Sequence, residues 1–232
     1  MKYKLRTNLN NTDWLPNVED TYPQGLLSLI EQQICNEDDF ISCINQNDYS
    51  LIGLHCARLT MLEIMDIREN GISVGGKDLL YKKISNLPDN CNNIKPALIK
   101  HVQKLTTTQA DNLFYFAYGF LDLENDSAGY KNFLNNWGGE SIYNFYDNPR
   151  TQTDPLLKQI KKQLSEVSIP CILIIRHPLK LLTNAQLYAL FTSITNPDIE
   201  INNIFQSICV TDYLPEVVDI IDMNKYSGLN FS

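Results

Sequence analysis

Apolar positions along the chain first recur at helical spacing. Between Pro23 and Ile34 they fall at Leu26, Leu27, Leu29, Ile30 and Ile34, which lines one face of a helix. Asp38–Ile44 repeats the pattern over a shorter stretch, so residues 1–50 read as a helical preface. The pattern changes at Ser50. Leu51-Ile52-Gly53-Leu54-His55-Cys56-Ala57-Arg58-Leu59 is a short, nearly continuous apolar run and predicts a buried strand. Thr60 then stands as a helix N-cap with Glu63 three residues on, the spacing at which hydroxyl and carboxylate reciprocally satisfy backbone N–H groups, and Asn70-Gly71 ends that helix.

Farther along, helices are predicted over Asp78–Leu87 and, after Pro96, over Ala97–Leu105. Leu113–Phe120 is aromatic and strand-like. Asp126 is placed to cap a helix over Ser127–Trp137, which Gly138-Gly139 stops. Glu140 follows at the start of Ser141–Tyr146, whose alternation predicts an antiparallel strand. Next come a helix from Asp154 to Val167 and a strand over Ile169–His177, ended by Pro178. Thr183 caps a helix through Ile194, a strand lies within Ile199–Val210, and Pro215 opens a last helix through Met223. Helices and strands are interspersed without a regular βαβ rhythm. The expectation is an α+β fold in a single domain over residues 1–232, with the preface at 1–50 and the body at 51–232.

Composition narrows the chemistry. The 232 residues are 44% hydrophobic and 20% charged, ordinary for a folded domain. A net charge of −8 gives the whole molecule no field that would grip phosphate backbones, leaving only a local basic groove for that purpose. Lys2, Lys4 and Arg6 are followed by no apolar segment, so the start does not read as a signal peptide. The longest purely apolar run, Cys171–Ile175, falls far short of the roughly 20 residues of a membrane span. A cytoplasmic chain without membrane contact is expected. The cysteines at 35, 43, 56, 91, 171 and 209 show no C-x-x-C spacing and read as free thiols in a reducing compartment. With only His55, His101 and His177 to assist them, no structural metal is expected. Gly75-Gly76 and Gly138-Gly139 lack the context of phosphate or dinucleotide loops, and neither G-x-S-x-G nor H-E-x-x-H occurs.

Two features remain. His55 is either a core histidine with a backbone partner or, together with Arg58 near the same strand end, one wall of a pocket. In Trp137-Gly138-Gly139-Glu140, two glycines end a helix and hand over a carboxylate, which is either solvated beside a turn or deliberately placed.

The strand Leu51–Arg58 followed by a helix ending in Glu69-Asn70-Gly71-Ile72 resembles the first motif of ADP-ribosyltransferases of the His-Tyr-Glu type, in which H-x-[ST] on a strand precedes such a helix. The Tyr-rich strand and Glu140 resemble the second and third elements in the same order, so the likeness spans about Leu51 to Phe145. Ala57 stands where the family carries Ser or Thr, removing a hydroxyl that helps hold the nicotinamide ribose. The resemblance implies a split antiparallel sheet flanked by helices, and NAD as substrate. It implies a bacterial toxin or effector that transfers ADP-ribose to a protein or nucleic-acid acceptor. Glu140 and His55 would be catalytic, and His55 would hydrogen-bond the ribose. Arg58 would face the diphosphate, and Tyr118, with Tyr81 and Tyr115 also ahead of the Glu, would stack on the nicotinamide. His55 and Glu140, 85 residues apart (140 minus 55), would converge on one cleft. Two alternatives stand beside it: a non-catalytic binding module whose Tyr and Trp cluster forms a partner surface, and a metal-free nuclease using His55 and Glu140.

Overall fold

A computed structural model describes residues 36–46, 50–73, 76–106, 114–116, 130–195, 208–210 and 214–225. The fold is α+β. Strands β1 (Ser50–Thr60), β3 (Ser168–Pro178) and β5 (Glu216–Asp222) form an antiparallel sheet in the order β1-β3-β5. The short strands β2 (Phe114–Phe116) and β4 (Ile208–Val210) pair separately. The described helices are α1 (Glu37–Gln46), α2 (Met61–Asn70), α3 (Gly76–Ser85), α4 (Lys95–Lys104), α5 (Tyr130–Asn135), α6 (Glu140–Tyr146), α7 (Pro155–Val167) and α8 (Asn184–Thr195). The expected helix over Pro23–Ile34 lies outside the described residues, as do Asp126 and Tyr118.

The chain groups into two compact units, residues 1–55, 115–128 and 174–218 forming one and residues 56–114, 129–173 and 219–232 the other. In the first unit, α1 buries Phe40 and Ile44 completely, and the Phe40 ring lies 5.3 Å from that of Phe191 on α8. The Tyr188 hydroxyl donates to Asp38 at 3.0 Å, adding a second tie between the two helices. Thr183 and Gln186 exchange capping hydrogen bonds at the start of α8, as the sequence predicts.

The second unit holds most of the described core. Leu157, Ile160 and Leu164 recur on one face of α7 and pack with Leu98 and Val102 of α4, Ile84 of α3, and Ile142 and Tyr146 of α6. Full burial of each such aliphatic side chain contributes about 2 kcal/mol. Asp154 caps α7 by accepting from the amides of Leu156 and Leu157, with Pro155 at the first helical position where its missing N–H costs nothing.

Two predicted elements are corrected. Ser141–Tyr146 belongs to helix α6, not to a strand. Its two buried residues, Ile142 and Tyr146, are four apart, and the Ile142 and Tyr143 amides both bond back to the Gly139 carbonyl. The stretch after Pro215 is strand β5, not a helix. Val217, Val218, Ile220 and Ile221 are β-branched and find a pairing partner in β3, which outweighs the helix-start signal of proline.

Candidate functional site

The residues singled out by the sequence meet, in part, around β1 and the segment that follows α5. Arg58 of β1 and Trp137 form an isolated parallel bridge, which brings the H-x-x-R strand and the W-G-G-E segment side by side within the second unit. Trp137 is 1% exposed. Its indole Nε1 donates to Glu63 Oε2 at 2.7 Å, and its carbonyl accepts from the Tyr146 hydroxyl at 2.8 Å.

Glu63 is the chemical centre of this cluster. The capping box is present as predicted: the Thr60 amide and hydroxyl both donate to Oε2, at 2.8 and 2.9 Å, while the Glu63 amide donates to Thr60 Oγ1. Lys83 of α3 lies 3.1 Å from Oε1. Burial opposes ionisation of this carboxyl. The Lys83 ammonium and the hydrogen bonds from Thr60 and Trp137 outweigh that penalty and hold it below the usual carboxylate range. The sequence identifies Glu63 only as a cap. Its ties to Trp137 and Lys83 bridge 74 and 20 residues (83 minus 63), and no local pattern announces them.

Beyond Trp137 the chain turns through two glycines with φ of +94° and +72°, a region that side chains with a Cβ rarely adopt. A Cβ on Gly138 would sit 2.7 Å from Ile142 Cβ, whereas one on Gly139 would meet nothing. Glu140 then opens α6 with its carboxylate exposed. Tyr143 lies one helical turn on, half-buried, its ring edge-on to Phe133 at 5.8 Å. Burial pushes its phenol up, with the charges of Glu140 and Asp147 adding to the effect. Tyr143 therefore feels the Glu140 charge, a proximity that follows from α6 being a helix and that the expected strand hid.

Arg58 takes a structural position. It is 8% exposed, and its guanidinium donates to Ser168 Oγ (3.0 Å) and to the carbonyls of Leu134 (3.2 Å), Ser165 (2.7 Å) and Ser168 (3.1 Å). Ser165 lies in the last turn of α7 and Ser168 is its C-cap, where a cation complements the helix dipole. All of these acceptors belong to the second unit. His55 is half-buried and belongs to the first unit, Glu140 to the second. Trp137 and Tyr146, each 1% exposed, are core residues.

Cys56, Cys91 and Cys171 are buried cysteines and Cys43 is half-buried. Burial pushes the Cys171 thiol up to about 12, which keeps it unreactive. Among the described residues, no group of three or more His, Cys, Asp or Glu side chains is placed to hold a metal, and no helix is long and apolar enough to cross a membrane. Compared with protein-family models, with curated proteins and with solved structures, the chain matches none.

Proposed function

We propose that this protein is an NAD-dependent ADP-ribosyltransferase-like protein, a toxin or effector that acts in the cytoplasm on a macromolecular acceptor. The bond between nicotinamide and ribose breaks, nicotinamide leaves with the bonding pair, and an acceptor nucleophile bonds to the same ribose carbon and gives up its proton. Positive charge builds on the sugar as the bond lengthens. Glu140 stabilises that charge and polarises the attacking group, and His55 hydrogen-bonds the nicotinamide-side ribose.

The observation that carries this function is the Arg58–Trp137 bridge. The strand that resembles the first family element and the segment that leads into Glu140, 79 residues apart (137 minus 58), lie side by side, and the second ends in an exposed carboxylate, although that carboxylate opens helix α6 and not the strand that the resemblance implies. Incubating the pure protein with labelled NAD and a cell lysate tests it. Label on a macromolecule, released by no other treatment than enzymatic or chemical cleavage of ADP-ribose, supports transfer. Absence of label and of free nicotinamide over hours contradicts it.

A non-catalytic binding module is the second possibility, and α2 favours it. Met61, Leu62 and Met65 are 61%, 51% and 55% exposed on the side of the helix away from buried Glu63 and Ile64. Large apolar side chains grouped on a surface mark contact sites. If this is the function, charged substitutions at all three positions abolish partner binding while Glu140→Gln has no effect.

A further inference from the structure

We propose that Glu63 and Trp137 are positioning residues for Glu140: the buried carboxylate–indole contact holds the Gly138-Gly139 turn, and the turn holds the exposed carboxylate. This rests on the assignment of Glu140 as the reacting group. A capping box needs only the reciprocal bonds between Thr60 and Glu63. Glu63 does more, because the same Oε2 also takes the indole N–H, and Oε1 faces Lys83. Trp137 is in turn fixed at three points: by its indole, by the strand bridge to Arg58, and by its carbonyl, which the Tyr146 hydroxyl holds from the far end of α6.

Residues 137–146 are thus closed into a loop with Glu140 on its rim. Two consecutive left-handed glycines would otherwise be the most mobile pair the chain can contain. Backbone of this kind stays in one conformation only where its surroundings over-determine it, and such places cluster at functional sites. A merely solvated glutamate needs no anchor of this kind. A reacting one does, since misplacement by about 1 Å costs on the order of 10²-fold in rate.

Amide relaxation on the full-length, isotopically labelled chain, paired with label transfer from NAD, tests this. In the wild-type protein the Gly139 and Glu140 amides should be as ordered as rigid backbone, with order parameters near ~0.85. Trp137→Phe removes the indole donor and keeps an aromatic ring, and Glu63→Gln removes the charge and keeps one acceptor. Each should drop the Gly139 and Glu140 values toward ~0.6 or below while leaving Leu98 and Val102 of α4 unchanged. Transfer should lose about 10²-fold in kcat, with KM for NAD within about twofold. If either variant does not fold, Tyr146→Phe, which frees the Trp137 carbonyl, takes its place. Loose wild-type amides at Gly139 and Glu140, or amides that stay rigid in the variants, overturn the proposal. If the turn loosens as described but the wild-type protein transfers no label, the anchoring stands and the transferase function falls.

Discussion

Glu63 and Trp137, 74 residues apart in sequence, meet through a 2.7 Å hydrogen bond from indole to carboxylate in the interior of the second unit. One end of the contact is the cap of α2, and the other is the last residue before the glycine turn that delivers Glu140. A local helix-start device is thereby joined to a distant segment.

The contact makes Glu63 costly to remove. Glu63→Ala deletes the reciprocal cap, worth about 1 kcal/mol, and leaves the Trp137 N–H and the Lys83 ammonium without their partner. An unsatisfied buried indole N–H and a half-buried ammonium without its partner cost about 1–3 kcal/mol more, so denaturant unfolding should register a loss of about 2–4 kcal/mol in all. A loss under about 1 kcal/mol would mean that Glu63 is only a surface cap.

The two glycines should differ. Both substitutions to alanine carry a positive-φ penalty of about 1–3 kcal/mol. Gly138→Ala adds a collision with Ile142 at 2.7 Å, and overpacking of that kind costs about 1–3 kcal/mol more. The thermal midpoint of Gly138→Ala should therefore fall clearly below that of Gly139→Ala. Equal midpoints would contradict the packing of α6 against the turn.

Arg58 should behave as a structural residue. Lysine cannot reproduce a planar fork that serves Ser168 Oγ and three carbonyls, so Arg58→Lys should lose about 2–3 kcal/mol of stability. NAD should not change that loss. If Arg58→Lys leaves the midpoint unmoved and weakens NAD binding, the guanidinium reaches ligand after all.

Much of this architecture is legible in the sequence, and the failures have physical causes. The Thr60–Glu63 box, the helix from Asp154 to Val167 and the apolar run of β3 are legible locally, and each element forms where it is expected. Ser141–Tyr146 misleads because six residues with apolar groups at Ile142, Tyr143, Phe145 and Tyr146 fit both periods. The choice is made by Ile142 and Tyr146 packing on α4 and α7, which is tertiary information. Pro215 misleads because proline also suits the start of a strand. The site is less legible. Glu140 stands out beside its glycines, but Glu63 looks like a cap, Arg58 looks like a ligand contact, and only their distant partners separate those roles.

Acid should destabilise the fold in two stages. Burial lowers His177 to about 4 from an ordinary value near 6.5. The unfolded chain therefore takes up a proton that the folded chain refuses, and stability falls as pH drops from about 6.5 to about 4. The Glu63 carboxyl, held below its usual range, adds stability that is fully present above about 4.3 and is lost as pH falls through its lower folded value. Thermal midpoints should be level between about pH 7 and 8 and decline below that. His177→Gln should remove the upper stage and keep the lower. A decline confined to pH below about 4 in the wild-type protein would contradict the burial of His177.

The most direct test of the proposed chemistry is Glu140→Gln. The substitution keeps the shape and one acceptor oxygen of an exposed residue at the first position of α6 and removes the charge. Label transfer from NAD should fall by about 10²-fold or more, the cost of losing one electrostatic stabiliser of the transition state. NAD affinity should hold, and stability should stay within about 0.5 kcal/mol of the wild-type value. Transfer at the wild-type rate, or a loss of activity no larger than the loss of folded protein, would show that Glu140 takes no part in the reaction.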